Sequence, residues 1–190
     1  MHSMSIFKLF SIFLITGFMT ACATQVTEKP SDIKRSTVPL SEYDQVVLVG
    51  AELLGEYAGQ GANEKAKRKI DQVMESGLQQ QFENFSTMSV SEYQANKPTA
   101  SGSKQVLVIQ PVIKQIKFVG GAARFWAGAM AGSSVVIMDV NLIDAGTNER
   151  IGVAGYYRKA SAYGDGFGIG SNRMLEDVAN DVVNYVRTNM

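Results

Sequence analysis

The side chains with the richest chemistry are nearly absent from this chain. Its 190 residues hold one histidine, His2, and one cysteine, Cys22. Both lie in or beside an apolar N-terminal stretch, so everything after residue 22 lacks imidazole and thiol. That removes Ser-His-Asp and Cys-His nucleophilic catalysis, imidazole acid–base chemistry, and zinc sites built from His or Cys. Carboxylates remain as candidate catalysts, and Asp139, Asp144 and Asp165 are the ones to weigh. Asp139 falls on the polar side of an alternating strand, and Asp144 opens a turn, where turn chemistry already accounts for it. A glycosidase needs two carboxyls about 5–10 Å apart in a cleft, and no spacing here argues for such a pair. The glycines of residues 164–170 alternate and lack the third spacing of a dinucleotide fingerprint, and no G-x-x-x-x-G-K-[ST] occurs. The expectation is therefore no catalytic residue, no cofactor and no metal.

Charge narrows the partners further. Basic and acidic side chains both number 18, so the formal net charge is zero and a nucleic-acid partner is not expected. Hydrophobic residues make up 45% and charged residues 19%, the balance of a chain that folds. Residues 1–21 carry Lys8 as their one charge, followed by an apolar run from Leu9 to Phe18. That run is signal-peptide length and shorter than the roughly 20 residues of a membrane span. It ends in Met19-Thr20-Ala21-Cys22, which resembles the lipobox of bacterial lipoproteins, with Met19 where that motif usually has Leu. The resemblance implies a signal peptide over 1–21 and lipidation of Cys22. Loss of Lys8 leaves a formal charge of −1, so acyl chains rather than net charge would hold the protein to a membrane. Ala23 rather than Asp after the cysteine resembles outer-membrane sorting in a Gram-negative host.

The elements that must position any site follow from apolar spacing. Residues 22–41 are polar, with Pro30 and Pro39, and read as the lipidated N-terminus and a flexible tether. A single periplasmic domain is expected over 42–190. Val46-Val47-Leu48-Val49 reads as a buried strand. Ala66, Ile70, Val73, Met74, Leu78, Phe82 and Phe85 give one face of a helix over 63–85, with a basic cluster at 65–69 read as its solvated face. Gly77 weakens that helix by about 1 kcal/mol relative to Ala. A short strand is expected over 88–93, and a long one over 106–118 with a bulge or edge at Pro111. Residues 134–143 alternate, with Met138, Val140 and Leu142 inward, then 144–149 turn and 150–158 return. A last amphipathic helix spans 172–188 with Ser171 as N-cap. Together these predict an α+β fold: a mainly antiparallel sheet of about five strands with two helices packed on one face.

Arg124-Phe125-Trp126-Ala127-Gly128, Gly132, the apolar strand 135–142, Asp144-Ala145-Gly146-Thr147 and a Gly-rich run before the final helix resemble bacterial lipoproteins of domain-of-unknown-function family 4410. Asn148 stands where that family has Gly, and Asn is the next residue to tolerate positive φ. The resemblance implies a compact envelope lipoprotein and assigns no activity. Short antiparallel connections bring the 118–133 and 160–170 loops to one end of the sheet. They hold Phe118, Phe125, Trp126, Tyr163 and Phe167 beside Arg124, the composition of a partner contact. Two arrangements fit: rings exposed for an envelope protein partner, or rings tucked in to close the core. The reading that results is an outer-membrane lipoprotein whose periplasmic domain is a non-enzymatic binding or assembly module. The alternatives are a subunit of an envelope transport or secretion assembly and a carboxylate-dependent envelope hydrolase.

Overall fold

The computed structural model describes residues 27–100, 104–119, 133–160 and 169–190. In chain order the elements are β1 (Gln45–Val49), β2 (Glu52–Leu53), α1 (Gly61–Gln79), β3 (Phe85–Met88), α2 (Val90–Ala95), β4 (Val106–Lys117), β5 (Val135–Asp144), β6 (Glu149–Lys159) and α3 (Ile169–Arg187). One six-stranded sheet runs β3-β1-β4-β5-β6, with β2 alongside β4 beyond the end of β1. The fold is α+β as expected, but the sheet is mixed rather than mainly antiparallel. β1 pairs in parallel with both β3 and β4, and β2 also pairs in parallel with β4. Only β4-β5-β6 is the antiparallel meander that the short connections predicted.

Right-handed crossovers explain the parallel half. From β1 the chain crosses outward through α1 to β3, then returns past β1 through α2 to β4. Reversing the direction of travel reverses the face on which a right-handed crossover must lie. So α1 and α3 share one face and α2 takes the other. The main core forms under the long helices, from Ala66, Ile70, Met74 and Leu78 of α1 and Met174, Leu175, Val178 and Val182 of α3. These pack on Leu48, Leu107, Ile109, Met138, Val140 and Leu142 of the sheet. A smaller cluster of Val47, Val49, Tyr93, Val106 and Val108 lies beneath α2.

Two local expectations change. Residues 88–93 are not a strand: Ser89 and Glu92 form a reciprocal capping box that starts α2. The Ser89 N–H donates to Glu92 Oε2 at 2.8 Å, and the Glu92 N–H donates to Ser89 Oγ at 3.2 Å. Gly77 also has a use. A Cβ built there would lie 2.8 Å from a Val183 methyl carbon, so the glycine lets α1 and α3 approach closely. In the 144–149 turn, Asn148 takes φ 57°, as its place in the turn requires.

β4 carries a bulge, three residues beyond Pro111. Pro111 itself pairs with Val140 and falls in the gap between the β1 and β2 registers, where its missing N–H interrupts neither parallel ladder. The register shifts between Ile113 and Gln115. Before the shift Ile109 and Ile113 face the long helices; after it Ile116 does. The extra residue leaves Lys114 and Gln115 both on the opposite face.

Candidate functional site

On that opposite face the sheet is crossed by residues 27–37, part of the segment expected to be a flexible tether. From residue 27 onward that expectation is corrected. The N–H groups of Thr27 and Glu28 donate to Gln115 Oε1 at 3.2 and 3.3 Å. Lys114 Nζ donates to the Lys29 carbonyl at 2.6 Å, which is the use of the bulge. Ser31 donates through both its N–H (2.8 Å) and its hydroxyl (2.6 Å) to the Asp139 carboxylate. Its backbone lies directly over Gly155, where any Cβ would collide with it. Lys34 then pairs antiparallel with Val153 on the outer edge of β6, and the Thr37 N–H donates to the Ile151 carbonyl. Past that edge the strap meets the end of α3: the Tyr185 hydroxyl donates to the Lys34 carbonyl at 2.6 Å, and the Ser36 N–H to Asn189 Oδ1 at 2.8 Å. Paired backbone on an exposed strand edge also protects it from other chains.

The second focus is the end of the sheet where β4 and β6 finish. Ser134 is fully buried there. Its hydroxyl accepts the Val119 N–H at 2.9 Å and pairs with the Ser171 hydroxyl at 2.8 Å. Its carbonyl accepts the Ala160 N–H at 2.9 Å. One residue, through its hydroxyl and its carbonyl, thus ties together the four points from which the 120–132 and 161–168 segments depart. Ser171 is not the N-cap expected for the last helix. It lies within α3, which begins at Ile169, and its buried hydroxyl serves Ser134. Sequence reasoning missed Ser134 because one of two adjacent serines at a strand start has no distinguishing spacing.

Of the residues expected to meet a partner, Phe118 is described. It is half-buried against the main core and lines a groove of about 260 Å³ with Lys65, Arg68, Lys69, Gln72 and Asn172. Lys69 pairs with Glu176 of α3 at 3.1 Å. Arg124, Phe125, Trp126, Tyr163 and Phe167 lie outside the described residues, as do Cys22 and Asp165.

The two described carboxylates serve the fold. Asp139 binds Ser31 and lies 3.3 Å from Lys114 Nζ. Burial alone would raise the Asp144 carboxyl, but the Thr147 N–H, the Tyr43 hydroxyl and the Gly146 N–H outweigh it and hold the group below the usual carboxylate range. Those bonds measure 2.8, 2.9 and 2.8 Å. Five positions of strand separate Asp139 from Asp144, roughly 16 Å at 3.3 Å per residue, too far for a hydrolytic pair. Among the described residues no cluster of three His, Cys, Asp or Glu could hold a metal ion, and no helix is long and apolar enough to cross a membrane.

No family model matches the chain, and no curated protein matches it. Solved structures do. A PelC dodecamer from Paraburkholderia phytofirmans that carries one substitution is 13% identical, with a TM-score of 0.50 over 82% of this chain and 98% of that one. A second crystal form of the PelC dodecamer gives 0.45 at 13% identity, over 85% and 94%. A minor lipoprotein from Acinetobacter baumannii gives 0.37 at 9% identity, over 77% and 94%. The resemblance to family 4410 thus gains no family match, and what the chain shares with PelC is its α+β fold.

Proposed function

We propose that this protein is a lipid-anchored bacterial envelope protein whose domain is a non-enzymatic binding or assembly module on the periplasmic side of the outer membrane. The observation that carries the reading is Cys22, the chain's single cysteine, placed after small residues at the end of an apolar run of signal-peptide length. Acylation there supplies the anchor, since burial contributes about 0.8 kcal/mol per CH₂ and more than one chain is needed for firm attachment. A binding or assembly role is supported by the employment of Asp139 and Asp144 in holding the strap and the turn. The fold shared with PelC, whose solved structure is a dodecamer, favours assembly over catalysis. The test is Cys22→Ser. The variant should leave the outer-membrane fraction for the soluble fraction after mild washing, and a variant retained like the parent would refute the anchor. Cross-linking in intact cells followed by mass spectrometry would then identify the envelope partner.

A further inference from the structure

The sheet has one covered edge and one open edge. The strap covers β6, where Lys34 pairs with Val153 and the Thr37 N–H donates to the Ile151 carbonyl. At the other edge lies β3, the end of the strand order, paired with β1. The Val46 N–H donates to the Asn84 carbonyl and the Gly50 N–H to the Met88 carbonyl, both at 2.9 Å. Alternation along the strand puts Ser86 on that inner side and turns the N–H and carbonyl groups of Phe85 and Thr87 outward. Among the described residues no hydrogen bond meets these outward groups. β3 has no Lys, no Pro and no bulge to blunt its edge, and Ser86 and Thr87 are exposed. Beside it runs a groove of about 310 Å³, whose wall includes Lys67, Asp71, Glu75, Thr87 and Glu92. Lys67 is held by Asp71 at 2.7 Å, which leaves Glu75 and Glu92 without a cation among the described residues. Register sets the face. Leu48 lies opposite Thr87 and belongs to the core under α1, so Thr87 faces the α1 side, where Glu75 stands. On an added strand, the residue directly across from Thr87 points to the same side, into the groove.

We propose that this edge binds an extended basic segment of an envelope protein partner, which adds to the sheet beside β3 and lays a Lys or Arg side chain beside Glu75 and Glu92. The proposal rests on the binding-module reading and gives it a contact surface; it does not depend on the anchor. Charge chooses the partner. A second copy pairing through its own β3 would bring two acidic grooves to one junction, whereas a basic strand meets opposite charge. The probe is a short fluorescent peptide of alternating valine and arginine, titrated against the full chain in detergent and followed by anisotropy. It should bind, and each of three changes should weaken binding about tenfold or more: glutamate for arginine, methylation of every peptide amide, and Thr87→Pro in the protein. Pro fits there because the Thr87 N–H faces outward and the bonds to β1 come from its neighbours. Should Thr87→Pro fail to fold, the methylated peptide decides the point on the unaltered protein. Glu75→Lys should weaken the arginine peptide and strengthen the glutamate one. No binding, or binding that survives methylation, overturns strand addition, and equal binding of the arginine and glutamate peptides overturns the basic partner. A parent that sediments as a dimer beside a monomeric Thr87→Pro chain would assign the edge to a second copy and overturn the proposal. Cross-linking in intact cells reads the binding module separately: a partner captured equally by the parent and by Thr87→Pro keeps that reading and overturns this edge.

Discussion

Replacing Gly155 by Val should detach the strap without unfolding the domain. Ser31 lies across Gly155 with its backbone inside van der Waals range of any added Cβ, and Asp139 Oδ1 would be 2.7 Å away. The side chain has no other space, so Ser31 must lift. With it go the two hydrogen bonds to the Asp139 carboxylate. Hydrogen bonds to charged groups contribute about 1.5–3 kcal/mol each, but Asp139 keeps Lys114 and regains water once uncovered. A net loss of roughly 2–3 kcal/mol in strap docking follows. Trypsin reads it directly, because Lys34 and Arg35 lie in the strap and a protease needs several extended residues on either side of its cut. If cleavage passes through local opening, that loss makes cutting at Lys34 and Arg35 about 30- to 150-fold faster. The thermal transition of the remaining domain should move far less than the cleavage rate. Cutting at the parental rate in a folded Gly155→Val chain would show that the strap is not held at Ser31, and the reasoning would fall.

Gly77→Ala gains about 1 kcal/mol of helix propensity but drives a methyl to 2.8 Å from Val183, and overpacking costs about 1–3 kcal/mol; the melting temperature should fall, and Val183→Ala in the same chain should restore it. Ser134→Ala leaves the buried Val119 N–H without its hydroxyl acceptor and should cost about 1–3 kcal/mol in denaturant titration; an unchanged midpoint would show that the ring of contacts around Ser134 is not needed. Burial pushes the Tyr185 hydroxyl up to about 12, against a lowering by the Val153 backbone, and burial with the nearby Asp181 charge does the same for Tyr156. Their raised values contribute stability present below the unfolded value of about 10 and lost as pH rises toward 12, so tyrosine absorbance should show late-ionising groups, with Tyr43 also held up by burial and its bond to Asp144, and alkaline unfolding in that window. Asp144 acts in the opposite direction: its lowered value contributes stability present above the ordinary range near 4 and lost as pH falls below it, and Asp144→Asn should flatten the acid limb of stability against pH.

Where one residue pattern implied one structure, the sequence was readable. The 3–4 spacing in α1 and α3 and the alternation of Met138, Val140 and Leu142 placed both long helices and the central strand, because each pattern has a single buried face, although the helix expected over 63–85 ends at Gln79 and Phe85 opens β3. The parallel half of the sheet was hidden by one misread segment. Residues 88–93 carry apolar residues at strand-like density, and the decisive signal was the Ser89 to Glu92 spacing of a capping box. Without α2 there was no crossover from β3 to β4, hence no reason for β3 and β4 to flank β1 in parallel. The strap was invisible for a different reason. Its residues have no periodicity because backbone N–H and carbonyl groups do the binding, and composition carries no trace of where backbone donates. The signals lay on the sheet instead: a glycine at 155, a carboxylate at 139 and an extra residue at 114, each explicable alone.

Buried polar groups show what the fold protects, because each is costly unless bonded. Among the described residues the buried polar side chains are Asn63, Gln115, Ser134, Asp139 and Ser171. Asn63 donates to the Tyr57 carbonyl and to Gln60, fixing the turn into α1. Gln115 and Asp139 hold the strap, while Ser134 and Ser171 join the segment ends. None of the five lines one of the described surface grooves that could take a ligand. Four of them fix the strap, or the sheet end where Lys65, Arg68 and Lys69 gather. They fix how the strap docks on the sheet and where the 120–132 and 161–168 segments leave it.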